Sequence, residues 1–221
     1  ADADPGLRRS HAPAVTIRLS NLILPGSPSA WDAVVPEPLR SLDGALRLAP
    51  TGLRWLDPPL ERLSWEFESS DEGSDLDCDG VPVRVVEPEV DHAEPGSTPA
   101  HGASIDHVVV VTDSIERTSG AVEHLTGEGL RRIRDTGQVR QGFHRLGRGG
   151  TILELVERPG APTSLWGFVL TVPDLDAVVT NARGLIAPAR DAVQPGRRIA
   201  TVERAAGLGT AVAFMSPEPL D

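Results

Sequence analysis

Residues 105–217 read as two successive βαβββ units, which makes the chain an α+β protein with mixed sheets. Two observations carry this. A β-branched run is followed by a capped amphipathic stretch and then by three short alternating stretches. The whole pattern then returns after about 50 residues, and such a repeat strongly constrains a fold.

In the first unit, 105–160, "IDHVVVVTD" (105–113) is a buried strand. "SIERTSGAVEHLTGEG" follows as a helix, with Asp113 or Ser114 as N-cap and Gly127 or Gly129 as the stop. "LRRIRDTG", "VRQGFHRLG" and "GTILELVERP" are the next strands, the last two joined by the turn "GRGG" (147–150). In the second unit, 164–217, "LWGFVLTVPD" is a strand and "DLDAVVTNARGL" a helix capped by Asp174. "ARDAVQPG", "RRIATVERA" and "GTAVAFMSP" complete the unit.

Upstream, "EVDHAEPGSTPAHGAS" (89–104) is polar and rich in Pro, Gly and Ala, and reads as a linker. Residues 14–88 read as a degenerate third βαβββ-like unit, with "VTIRLSNLILPG", "GALRLAP", "LERLSWEFES" and "VPVRVVEP" as strands and "SAWDAVVPEPL" as a short helix. Pro36 and Pro38 make that helix marginal. Residues 1–13 read as a flexible N-terminus.

"SDLDCDG" (74–80) spaces Asp75, Asp77 and Asp79 like the opening of a calcium loop. The twelfth position from Asp75, where a bidentate Glu belongs, is Val86. Strand-like segments flank the stretch, so Asp79-Gly80 reads as a hairpin turn.

Composition narrows the function classes. Of 221 residues, 39% are hydrophobic and 24% charged, as in soluble globular proteins. No stretch approaches a membrane span, and "ADADPGLRRSHAP" has no apolar core of a signal peptide, so the expected address is the cytoplasm. The 21 cations are scattered among 32 carboxylates and the net charge is −11, which argues against nucleic acid and anionic membranes and favours a cationic ligand. The chain has no Lys, which excludes Schiff-base chemistry and a phosphate-loop lysine, and no Tyr, which excludes a phenolic acid. Cys78, the only thiol, lies among Asp75, Asp77 and Asp79, whose charge should raise its pKa and make it a poor nucleophile.

At "IDHVVVVTDSIE" and "GGTILELVERP", the sequence resembles the vicinal-oxygen-chelate superfamily, which includes glyoxalase I, bleomycin-resistance proteins and extradiol dioxygenases. "WGFVLTVPDLDAVV" and "RRIATVERAAGLGTAVAFMSPE" look similar to it as well. The resemblance implies that paired units form a cupped mixed sheet with helices on its outer side. It also implies a metal held by a His from the first strand and a Glu from the last strand of a unit. Those positions fall at His107 and Glu154 in the first unit, and at Gly167 and near Ala213 in the second. In residues 14–88 they fall at Asn21 and Arg84. Half of a metal site is therefore present, with His144 as a candidate third ligand.

Other readings stay open beside this one. His107 could be a satisfied core histidine. Glu154 shares a strand face with Ile152 and Val156, so its carboxylate either meets a partner (Arg145, Arg198 or His107) or lines a cavity. Glu157 and Arg158 read as solvated, and Trp166 could close the top of a cup. The expected function is small-molecule binding in the concave sheet, at His107, Glu154, His144 and Trp166, without a complete metal site. The alternative is a metal-dependent lyase, isomerase or dioxygenase. Three units leave one unpaired, so a homodimer is expected.

Overall fold

The structure, a computed structural model, describes residues 17–35, 48, 51–69, 76–88, 102–147 and 150–219. The expected N-terminus 1–13, most of the 89–104 linker, Asp75 and all of "GALRLAP" but Leu48 lie outside these residues.

The C-terminal part holds β6 (Ser104–Thr112), α2 (Ile115–Thr126), β7 (Arg132–Asp135), β8 (Arg140–Arg145) and β9 (Ile152–Glu157). The same order returns as β10 (Ser164–Thr171), α3 (Leu175–Asn181), β11 (Arg190–Asp191), β12 (Arg198–Thr201) and β13 (Ala211–Met215). All eight strands make one mixed sheet, ordered β11-β12-β13-β10-β6-β9-β8-β7. The first strand of each unit sits at the centre, β6 antiparallel to β10. Each runs parallel to the last strand of its own unit. This is the α+β architecture of two facing βαβββ units.

Local chemistry sets the helix ends. Ser114 Oγ accepts the Arg117 N–H, and Gly127 ends α2 at φ 72°, where a Cβ would be strained. Asp174 caps α3 by accepting the Ala177 N–H at 2.9 Å. Glu157, expected to be solvated, also accepts the Ile115 N–H and pairs with Arg140.

Alternation divides the sheet. Val108, Val110, Leu153, Leu155, Phe168, Leu170 and Phe214 point to the helix side and are 0–2% exposed. A Cβ at Gly142 on that side would meet Ile115 of α2 at 2.8 Å, so the glycine lets the helix pack closely.

The N-terminal part holds β1 (Arg18–Ile23), α1 (Pro28–Trp31), β2 (Gly52–Arg54), β3 (Ser64–Glu68), β4 (Leu76–Cys78) and β5 (Val81–Val86). Its five-stranded sheet is ordered β2-β1-β3-β5-β4. A degenerate βαβββ-like unit was expected over residues 14–88. Among the described residues, β5 runs parallel to β3, and β1 lies between β2 and β3. Strand directions alternate parallel, antiparallel, parallel, antiparallel across the five strands. The same run crosses β13, β10, β6, β9 and β8. The N-terminal sheet thus repeats the middle of the larger one with its flanks trimmed.

One hydrophobic core joins the two parts. Trp31 of α1 stacks on Phe168 of β10, with ring centroids 6.2 Å apart and an interplanar angle of 13°. Thr51 and Thr151 hydroxyls meet at 2.6 Å.

The acidic stretch forms the hairpin turn between β4 and β5, with Asp79 at φ 54° and Gly80 at φ 84°. Both are positive, as the two-residue turn requires. Asp77 Oδ1 accepts the Gly80 N–H at 2.7 Å. Cys78 is buried, and burial first, then Asp79 and Asp77, push its thiol up to about 12. The thiol is inert, but desolvation outweighs the neighbouring charges.

Candidate functional site

The face opposite the helices curls around a cavity of about 280 Å³. Val109 and Val111 of β6, Val156 of β9, Val169 of β10 and Ala213 of β13 form its apolar wall. His107 and Glu154 supply its polar end.

Register explains why those two side chains meet. In the parallel β6–β9 pair, His107 faces Ile152 and Val109 faces Glu154, so the imidazole and carboxylate are diagonal neighbours on one face. His107 Nε2 lies 3.3 Å from Glu154 Oε2. Gln141 of β8 donates to Glu154 Oε1. Of the three partners considered for Glu154, His107 is the one present. Arg198 pairs with Asp176 and Arg145 donates to the Gly150 carbonyl.

Asp106 belongs to the same cluster, and alternation concealed it. The β6–β10 register slips between the pairs Val169–His107 and Leu170–Ile105, leaving Asp106 as a bulged residue. Its Oδ1 stands 3.7 Å from His107 Nδ1. Arg197, itself 7% exposed, holds Asp106 through two contacts of 3.2 Å. Arg197 also donates to the Ser216 carbonyl and the Thr171 hydroxyl. Burial alone would raise the Asp106 carboxyl. The neighbouring His107 imidazole and the Arg197 guanidinium together hold it below the usual carboxylate range. The cluster is therefore a row, carboxylate–imidazole–carboxylate, in which Asp106 at 3.7 Å and Glu154 at 3.3 Å flank the two ring nitrogens of His107.

A second bulge occupies the matching place in the other unit. The β10 register slips between Leu165 and Gly167, and Trp166 is the extra residue. It is 52% exposed and lines the cavity wall, where the sequence suggested a lid.

His144 does not join this site. It pairs with Leu153, one residue out of phase with Glu154, and so points to the helix side. It is 1% exposed, its Nδ1 lies 3.0 Å from the Glu128 carbonyl, and its Nε2 has no partner. Burial holds its pKa below the usual histidine value.

The residues do not fit a divalent metal of the kind the resemblance implied, which needs three or four protein ligands. The positions matching His107 and Glu154 are Gly167 and Ala213. A Cβ at Gly167 would lie 2.1 Å from the Ala211 carbonyl oxygen, so that position cannot carry a side chain without moving the strand. Among the described residues, no three His, Cys, Asp or Glu side chains converge to hold a metal ion. In the N-terminal sheet, Asn21 and Arg84 instead converge on Glu66, which is fully buried and also pairs with Arg54.

No protein-family model matches the sequence, and no curated protein matches it. Among solved structures the chain is similar to methylmalonyl-CoA epimerase from Mycobacterium tuberculosis, at 15% identity and TM-score 0.45, over 58% of this chain and 95% of that one. It is also similar to a hypothetical protein from Bacillus halodurans C-125, at 12% identity and TM-score 0.44, over 54% and 98%. A third is Streptomyces coelicolor methylmalonyl-CoA epimerase in complex with 2-nitronate-propionyl-CoA, at 16% identity and TM-score 0.43, over 52% and 97%. By its own strand order, directions and register, the eight-stranded sheet is the pair of βαβββ units that the resemblance to the vicinal-oxygen-chelate superfamily led us to expect.

Proposed function

We propose that the chain binds a small molecule in the concave face of its eight-stranded sheet, without a complete metal site. One observation supports this above the rest. An apolar cavity of about 280 Å³ ends in the His107–Glu154 pair, with Trp166 on its wall. Apolar walls supply affinity, and a few convergent polar groups fix orientation. The ligand is therefore a largely apolar molecule with one hydrogen-bonding group directed at His107 and Glu154. Titration of the full chain with an uncharged naphthalene probe, read by tryptophan fluorescence, tests this. A saturable change is expected, and it should vanish in Ala213→Trp, which fills the cavity. A flat titration would sink the reading.

A second reading is a metal-dependent lyase, isomerase or dioxygenase of the same superfamily, built on His107 and Glu154. The convergence of those two donors at 3.3 Å favours it. Stabilisation by zinc, manganese or ferrous iron that is lost in both His107→Ala and Glu154→Ala would establish it over the first. Among the described residues, no helix is long and apolar enough to cross a membrane. The expected homodimer and cytoplasmic address remain part of this proposal. A monomer mass by light scattering across a wide concentration range would remove the dimer.

A further inference from the structure

A second cavity, about 660 Å³, reaches the first through Ile152, the register partner of His107. Pairing builds its wall. Arg132 and Arg134 of β7 register with Phe143 and Gln141 of β8, and Arg145 registers with Ile152. Phe143 in turn registers with Glu154, and Ile152 with His107. The three arginines therefore stand on the concave side, one strand or two from the His107–Glu154 pair. Arg131 completes the rim, and Val193, 73% exposed, faces them from the opposite edge of the sheet.

The charge balance here runs against the rest of the protein. Carboxylates outnumber cations 32 to 21 along the chain, yet among the described residues none lines this cavity. Elsewhere Arg54, Arg84, Arg117, Arg140 and Arg197 each meet a carboxylate, while Arg62, Arg183, Arg190 and Arg204 stand singly rather than gathered in one concavity. In the cavity only Arg131 does, through Glu128 at 2.9 Å. Arg132, Arg134 and Arg145 have no carboxylate within ion-pair distance among the described residues, and Arg145 donates only to the Gly150 carbonyl. Like charges gathered on one concave face repel one another, and an acidic chain had ample means to neutralise them. Arg158, on the wall of the first cavity, extends the positive character toward the apolar cup.

We infer that this arginine-lined cavity binds a multiply charged oxyanion, a phosphate or diphosphate group, carried by a ligand whose apolar part occupies the neighbouring cavity. Guanidinium groups present planar forks of donors that match phosphate oxygens, and several around one concavity favour more than a single negative charge. The cationic ligand suggested by the net charge of −11 is thereby replaced, because the field inside a cleft follows its own walls. The concave shape and the surrounding acidity favour a small anion over a nucleic acid, which would need a broad basic face.

The inference extends the reading of the cup, but sodium pyrophosphate tests it separately, since that probe needs only the arginines. Calorimetric titration of the full chain at low salt should show saturable binding, weaker for inorganic phosphate and weakest for succinate. Arg132→Gln/Arg134→Gln should weaken pyrophosphate by about tenfold or more, with Arg145→Gln as an independent variant should the double one not fold. Arg62→Gln, exposed in the N-terminal part and lining neither cavity, should leave binding unchanged. Naphthalene binding with no pyrophosphate binding would overturn this inference alone. So would equal weakening by Arg62→Gln, succinate binding as tightly as pyrophosphate, or a short oligonucleotide that outcompetes it.

Discussion

Arg117 grips Asp79 through two hydrogen bonds, Nε to Oδ1 at 2.6 Å and Nη2 to Oδ2 at 3.1 Å. Thr118 and Thr163 hydroxyls donate to the same carboxylate. The tip of the N-terminal hairpin is thus fastened to the first turn of α2. Burial alone would raise the Asp79 carboxyl, but these donors hold it below the usual carboxylate range. A lowered folded value means stability that is present above the unfolded value, about 3.9, and is lost as pH falls through the folded one. Asp79→Ala should cost about 1–3 kcal/mol at neutral pH in urea unfolding. Its stability should also fall less steeply than wild type below about pH 4.

Calcium should leave the melting temperature unchanged. Asp77 is occupied by the Gly80 N–H and Asp79 by Arg117, Thr118 and Thr163, so the alternating carboxylates are already spoken for. Val86, in β5, offers no ligand. Calorimetry that revealed micromolar calcium affinity, lost in Asp77→Ala, would refute this.

Zinc, manganese and ferrous iron should likewise produce little stabilisation, because His107 and Glu154 are two donors where three or four are needed. Gly167→His should not repair the site. Its Cβ would strike the Ala211 carbonyl, and such overpacking costs about 1–3 kcal/mol. A melting temperature that rose with zinc in Gly167→His would contradict the steric argument.

Arg197→Met should be costly. It strands the Asp106 carboxylate, 9% exposed, without its cation. Breaking a buried pair from one side costs about 3–5 kcal/mol. Asp106→Asn should be milder, since the amide keeps an acceptor for Arg197. Equal losses for the two variants would mean that packing, not charge, sets the cost.

Trp31→Ala should remove about 3–5 kcal/mol, the usual loss for a buried aromatic. The ring stacks on Phe168, so the loss should loosen the contact between the two sheets. Hydrogen exchange should quicken in β1 and β3 before it does in β9. Uniform quickening would place the effect elsewhere.

What could be read from the chain itself was local. Strand alternation, the caps at Ser114 and Asp174, the stop at Gly127 and the Asp79-Gly80 turn each depend on residues within a few positions of one another. The repeated unit followed from these pieces, and the resemblance it carried pointed to His107 and Glu154, which the β6–β9 register sets side by side. What stayed hidden depended on pairing between distant strands. Alternation says that Gly142 and His144 share a face, but only the packing of α2 decides which face, and it took His144 away from the site. Bulges obey no sequence period, so alternation gave no sign that Asp106 stands beside His107, whereas Trp166, expected at the cup, lies on its wall. The trimmed N-terminal sheet and the four arginines gathered at one edge were settled the same way. Each depends on which strands lie side by side, a choice made by the shared core.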